Sequence, residues 1–291
     1  MKKINIFCFG FGQVAKNFIK KINTEKFSIN LSVTTREQSK AKQFNEIKYN
    51  NFIFNDEIFD NGLIENLKNS DHILISIPPI NGKDIVIKYF GEVIKECNPK
   101  WITYLSATSV YGDHKGEWVN EESETNPKST SGIGRLEAEK SWITFTANSK
   151  LPFQIFRLSG IYSNQKNILV RLKSGNVNLI NKKNQFFSRI HVEDIANVLF
   201  KSLSNFKTGE IYNISDDKPA SMEEVTLYGV KLLNVDIPKI IEVKDIDSEM
   251  LKSFYKDSKK VSNKKMKSFF DYKLKFPTYV EGLNYIRNNF I

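Results

Sequence analysis

Residues 4–15 read INIFCFGFGQVA: an apolar run, Ile4–Phe9, then Gly10-Phe11-Gly12-Gln13-Val14-Ala15. The run has the length of a buried strand and ends in a tight glycine turn. From Gln13 to Ile22 the apolar residues recur at helical spacing. Strand, G-x-G-x-x-A and helix in succession form the context that gives this motif its meaning. Gly10 permits the tight turn, Gly12 lets the backbone approach a pyrophosphate, and Ala15 lets helix and strand pack closely. The free N–H groups and the positive end of the helix then face phosphate. The two lysines before the run resemble a secretion signal. However, the apolar stretch stops after one strand length and no small-residue cleavage site follows, so a buried first strand in a cytoplasmic protein is expected.

Working outward, strand-like and helix-like segments alternate: Ile29–Thr34, Arg36–Phe44 as a helix, Phe52–Phe54, His72–Ile77, Asp84–Cys97 as a helix, Trp101–Leu105, Ser131–Ala147 as a long amphipathic helix, and Phe153–Leu158. This pattern predicts an α/β chain with a Rossmann-type doubly wound parallel sheet. The dinucleotide-binding domain is expected over 1–160, with 188–215 returning to it, and a smaller substrate-side domain over 161–291. Segment 163–187 reads as irregular, Ile190–Leu203 as a strand end leading into a helix, Ile211–Ile214 as a strand, and Ser221–Leu233 as a helix capped by Ser221.

The 291 residues are 40% hydrophobic and 26% charged, an ordinary globular composition. No apolar run is long enough to span a membrane. The net charge of +10 is spread along the chain without a nucleic-acid-binding module, so no nucleic acid partner is expected. The two cysteines, Cys8 and Cys97, and the three histidines, His72, His114 and His191, lack metal-ligand spacing, and no metal site is expected.

The second strand ends Val33-Thr34-Thr35-Arg36, where an NAD site usually carries an acid for the ribose 2′-OH. Thr35 and Arg36 stand there instead, with Lys40 a turn further on. A guanidinium can grip a 2′-phosphate with two parallel bonds, so NADP is preferred over NAD. Asn55-Asp56 reads either as a contact to the adenine edge or as a helix cap. Pro78-Pro79 shapes the chain leaving the fourth strand.

The segments GFGQVA at 10–15, LSATSVYGD at 105–113, RLSGIYS at 157–163, RIHVEDIA at 189–196 and IYNISDD at 211–217 together resemble the extended branch of the short-chain dehydrogenase/reductases, the NAD-dependent epimerase/dehydratase family. The resemblance implies a catalytic Tyr-x-x-x-Lys pair, in which the ammonium draws the phenol's pKa toward working pH, and a Ser or Thr on the reacting oxygen. Here the pair is degenerate. Counting from Pro127, Ser131 stands in the Tyr position and Arg135 in the Lys position. The Ser/Thr position falls on Ala107, flanked by Ser106 and Thr108.

An unactivated serine is too weak an acid near neutral pH, and Arg135 stays protonated, so it can hold a ribose or phosphate without shuttling a proton. The other acid–base candidates are Thr108, Tyr111 and His114, with Asp113 and Glu117 on the same loop. Ser106 and Ser159 read as cofactor contacts and Tyr162 as a cofactor or substrate contact. Arg157, Arg171 and Arg189 read as cations for an anionic substrate. In the His191, Glu193, Asp194 group, the acids fit the first turn of a helix better than a catalytic site. Two functions compete: an enzyme acting on a small polar substrate, a nucleotide sugar or phosphate ester, and a non-catalytic NADP(H) sensor or scaffold. The resemblance further implies a homodimer through helices 84–97 and 131–147.

Overall fold

The computed structural model describes residues 3–37, 43–182 and 184–291. In chain order its elements are β1 (Lys3–Phe9), α1 (Gln13–Thr24), β2 (Ser28–Thr35), β3 (Gln43–Phe44), β4 (Ile47–Ile53), α2 (Gly62–Lys68), β5 (His72–Ile75), α3 (Ile85–Glu96), β6 (Trp101–Ala107) and β7 (Trp118–Val119). Then come α4 (Thr130–Ser149), β8 (Phe153–Leu158), β9 (Gly160–Tyr162), α5 (Ile168–Lys173), β10 (Leu179–Asn181), β11 (Arg189–His191), α6 (Val192–Ser202) and β12 (Ile211–Ile214). The chain ends with α7 (Met222–Leu233), β13 (Ile240–Glu242), α8 (Glu249–Phe254), β14 (Lys260–Val261), α9 (Lys264–Phe269) and α10 (Tyr279–Phe290).

These elements form two compact units: 1–107, 130–157 and 195–212 make the first, and 108–129, 158–194 and 213–291 the second. Residues 108–129, read from the sequence with the first domain, cluster with the second.

The first unit is built on an eight-stranded sheet in the order β12-β8-β6-β5-β1-β2-β4-β3. The pairs from β6 through β4 are parallel, the expected doubly wound core. Strands buried on both faces read as continuous apolar runs, which is why INIFCF and HILI carry no alternation. The two-residue period still sorts their side chains. Phe7, Phe9, Ile73, Ile75 and Tyr104 face α2, α3 and α4, where Phe9 meets Phe90 and Tyr104 meets Trp142. On the opposite face Trp101 stacks on Phe18 of α1 and donates its indole N–H to Ser202 of α6 at 3.0 Å.

Three expectations are corrected. Gln43 and Phe44, read as the end of a helix, form β3, antiparallel to β4 through a two-residue turn whose Asn45 and Glu46 both have positive φ. The rest of that reading, residues 38–42 with Lys40, lies outside the described residues. Helix α4 is not amphipathic in the usual sense: Gly132, Gly134, Ala138, Glu139 and Trp142 are buried while Ile133 and Ile143 are exposed. Segment 163–187 contains α5, capped by Asn167, whose side chain accepts from the N–H groups of Leu169 and Val170.

In the second unit β9 pairs with β11, β10 with β13 and β7 with β14, all parallel. Helices α5, α7 and α10 supply a core of Ile168, Leu169, Val225, Leu283 and Ile286. Ser221 caps α7 as expected, and Thr278 with Glu281 forms a capping box on α10.

Buried Glu139 of α4 holds Arg157 of β8, the guanidinium Nη2 donating at 2.7 Å and Nε at 3.1 Å. Arg157 is therefore a structural cation and is corrected from its place among the substrate-facing arginines. Glu139→Ala removes the carboxylate from a buried guanidinium, and is expected to cost about 3–5 kcal/mol in urea unfolding. An Arg157→Met/Glu139→Leu double variant should recover most of the loss. A cost below about 1 kcal/mol for Glu139→Ala would show that the pair does not carry this weight.

Candidate dinucleotide edge and acid–base loop

In the first unit the chain leaves β1 at Gly10 with φ +90°, a conformation open to glycine at no steric cost. A Cβ there would lie 2.7 Å from Ile77 Cγ2 and 2.8 Å from Ser76 Oγ. The Gly10 N–H donates to Thr34 Oγ1 at 2.8 Å. Thr34 is buried at the end of β2. In sequence Thr34 reads as one of the hydroxyls that end the second strand, without its contact to Gly10.

Gly12 is the N-cap of α1, extended and without a side-chain cap, and no acid occupies the first turn. A Cβ on Gly12 meets nothing within 4 Å, whereas Val14 and Ala15 are buried under the helix. Gln13 is half-buried. Free N–H groups, a positive helix end and open space above a glycine are what a pyrophosphate requires, so these residues fit a dinucleotide.

At the end of β2, Thr35 is half-buried and Arg36 exposed. The Thr35 hydroxyl donates to Glu37 O at 2.6 Å and lies 3.1 Å from Asn51 Oδ1. Asn55 closes a local turn by accepting from the N–H groups of Glu57 and Ile58, and α2 begins only at Gly62, so Asn55-Asp56 caps no helix. Asp56 lies beside Lys88. Pro78 is exposed, and a Cβ on Gly134 of α4 would touch Pro79.

Ser106, at the end of β6, is 3% exposed and its hydroxyl has no partner among the described residues. Arg135 on α4 reaches the same strand end. Its Nη1 donates to Leu105 O at 2.7 Å and lies 3.3 Å from the Tyr104 hydroxyl. Ser131 is exposed in the first turn of α4, one turn before Arg135 on the same face.

In the second unit, Thr108 is half-buried and opens a 3₁₀ turn that runs to Tyr111. Tyr111 is fully buried and its hydroxyl donates to Asn213 Oδ1 at 2.8 Å, an architectural role that takes it out of the acid–base set. His114 is half-buried, with Nε2 3.1 Å from Glu124 O. Since a carbonyl only accepts, Nε2 is the donor in this contact, and Nδ1 is the nitrogen left for other partners.

The loop is fastened to a distant segment. Ser258 N–H donates to Asp113 Oδ1, Ser258 O accepts from the N–H groups of His114 and Gly116, and Lys259 Nζ donates to Gly112 O at 2.7 Å. Burial raises the Asp113 carboxyl, but the Ser258 and Lys115 N–H donors outweigh it and hold the group below its usual range. Burial pushes the Lys259 ammonium down. Nothing in the sequence of Lys259 flagged it.

Ser159 is 3% exposed and its hydroxyl is unpartnered among the described residues. Tyr162 is buried, and burial raises its phenol strongly. His191 packs at 4.2 Å from the Phe276 ring centroid and 5.0 Å from that of Tyr162, while Asp194 accepts from Tyr272 and from the N–H groups of Lys275 and Phe276. Both are packing residues. Among the described residues no group of three His, Cys, Asp or Glu could hold a metal, and no helix is long and apolar enough to cross a membrane.

The strand order and the turn at Gly10 define a Rossmann-type dinucleotide fold. The model of the NAD dependent epimerase/dehydratase family matches residues 89–215. A functionally unknown conserved protein from Silicibacter pomeroyi DSS is similar over 98% of both chains, with 30% identity and a TM-score of 0.88. The chain belongs to the NAD-dependent epimerase/dehydratase family. Its fold is also that of UDP-glucuronic acid 4-epimerase from Bacillus cereus in complex with NAD (TM-score 0.76, 14% identity, 99% of this chain and 100% of that one). It is shared by dTDP-glucose 4,6-dehydratase from Bacillus anthracis str. Ames in complex with NAD (TM-score 0.77, 19% identity, 98% and 96%). No curated protein matches the chain.

Burial pushes the His191 imidazole down to about 4. A histidine neutral in the fold and free to protonate when unfolded contributes stability in full above about pH 6.5, and loses it as pH falls toward 4. Replacing it with Phe should remove up to about 3 kcal/mol of the acid-side decline between pH 7 and pH 4, read from urea unfolding of wild type and variant. Parallel pH curves for the two proteins would refute this assignment.

Proposed function

We propose that the chain is an NAD(P)-dependent enzyme of the oxidoreductase, epimerase or dehydratase type, working in the cytoplasm on a small polar substrate, a nucleotide sugar or a phosphorylated molecule, with an altered acid–base set. The observation that carries the reading is the Gly10–Ala15 turn, whose geometry fits a pyrophosphate. The NAD-bound epimerase and dehydratase of the same fold, with their nucleotide-sugar substrates, support it. Gly10, Gly12, Gln13, Val14 and Ala15 would hold the pyrophosphate. Thr35, Arg36, Asp56 and Pro78 would border the adenosine half, and Ser106 and Arg135 the nicotinamide half; Ser159 is kept as a further cofactor contact. When bound, the cofactor supplies reversible hydride transfer.

Arg135 spends one donor on Leu105 O and keeps others for a ribose or a developing negative charge. Ser131 cannot deliver a proton unaided, so proton handling falls to His114, with the Thr108 hydroxyl on the reacting oxygen. A second reading, a non-catalytic NADP(H) sensor or scaffold, draws on the same Arg135, since a guanidinium tied to a strand end favours holding over proton transfer. The exposed Ile133 and Ile143 on α4 support the homodimer expectation.

NADP preference rests on exposed Arg36 with no acid between Thr34 and Arg36. Calorimetric titration should show NADP⁺ binding more tightly than NAD⁺, with Arg36→Ala removing the difference. It should also show Gly12→Asp abolishing both, because a carboxylate would stand in the phosphate's place. Equal affinities would overturn the preference. No binding of either cofactor to folded wild type would overturn the enzyme and sensor readings together.

A further inference from the structure

The second unit carries a pocket that the dinucleotide reading does not use. It lies among α5, α7 and α10, has a volume of about 430 Å³ and is within the range of small-molecule sites. Its walls are largely apolar: Tyr162, Ile168, Val225, Tyr279 and Leu283 are all buried.

Arg189 of β11 lines the same cavity and is 9% exposed. Its guanidinium donates to Phe187 O at 2.9 Å, to Ala220 O at 2.8 Å and to Met222 Sδ at 3.1 Å. None of these partners carries a charge, and no carboxylate among the described residues forms an ion pair with it. A buried cation with no carboxylate in direct contact is costly, and a thioether is a weak acceptor that an anion would readily displace. Met222 also lines the cavity, so the weakest of the three bonds is at the pocket wall.

Asp216 is the nearest opposing charge acting on Arg189, but it makes no hydrogen bond or ion pair to the guanidinium. Its N–H donates to Arg189 O, its Oδ2 is unpartnered, and burial drives its carboxyl well up, toward the neutral acid. Glu224 is taken up by Lys218 and the Tyr279 hydroxyl. Lys166 and Arg171, both exposed, add positive charge to the lining.

We propose that this pocket binds an amphipathic anion: a compact apolar body in the cavity, with one phosphate or carboxylate on Arg189 in place of Met222 Sδ. The assignment concerns the second unit alone and does not depend on the dinucleotide reading.

Fluorescence titration with 1-naphthyl phosphate, 1-naphthoate and 1-naphthol, with inorganic phosphate as competitor, tests it. At least one naphthyl anion should bind 10-fold or more tightly than 1-naphthol, and the tighter of the two identifies the head group. Inorganic phosphate alone should compete only weakly, because it leaves the apolar walls unfilled. Arg189→Met should abolish the preference for the anion. Because Arg189 also ties two carbonyls and that variant can unfold, exposed Arg171→Glu is the second test, expected to weaken anion binding several-fold at low salt. Gly12→Asp, which tests the dinucleotide edge, should leave naphthyl binding unchanged. Equal binding of anion and alcohol, no binding of either anion, indifference to both arginine variants, or loss of binding in Gly12→Asp would each overturn the proposal.

Discussion

The hydrogen bond from the Gly10 N–H to Thr34 Oγ1 ties the end of the first strand to the end of its parallel neighbour. It works together with a steric demand. With φ at +90° and Ile77 and Ser76 where a side chain would be, Gly10 has one way to turn, and that turn aims α1 at its edge of the sheet. Ser76 Oγ closes the other side, within 3.0 Å of both Phe9 O and Gly10 O. Three strands therefore fix one peptide. The helix start at Gly12 can serve a ligand because Gly10, two residues earlier, is held from both sides. Such preorganisation is what makes a helix terminus an anion site and not merely a frayed end.

Helix α4, which carries Ser131 and Arg135, is held by a few directed contacts. Its buried face is built from glycines, an alanine, Trp142 and Glu139, and its contacts are specific more than oily: Glu139 to Arg157, Trp142 Nε1 to Asp84 at 2.9 Å, and Arg135 to Leu105 O. The register of α4 against β6 and β8 is thus set by polar bonds that leave Ser131 outside. An arginine in place of a lysine suits this arrangement, because a guanidinium can hold a carbonyl with one arm and still present N–H groups elsewhere.

Much of the first unit was readable from periodicity, because parallel strands buried on both faces leave continuous apolar runs and α1 has clear helical spacing. The glycine motif was readable because chemistry dictates its residue types. Gln43-Phe44 misled because Asn45-Glu46 is an unusual two-residue turn, with glutamate at positive φ. Arg157 misled because an arginine on an apolar strand looks the same in sequence whether it awaits a ligand or meets a buried Glu139. Asn167 before an apolar run was a cap signal that the polar surroundings of 163–187 obscured. The contacts of Lys259 with Gly112 and of Thr34 with Gly10 were missed for a plainer reason: their partners lie far away in sequence.

The fastening of loop 112–119 to segment 257–262 bears on the order in which the molecule can be completed. Asp113 and Ser258 are 145 positions apart, and the two-residue strands β7 and β14 have too few bonds to persist without each other. During synthesis, β1, α1 and β2, with the Gly10 turn between them, emerge early and contact one another locally. The loop bearing His114 must wait, exposed, for almost the whole chain to follow. The glycine turn can thus take its shape well before the loop that carries His114 is fastened in place.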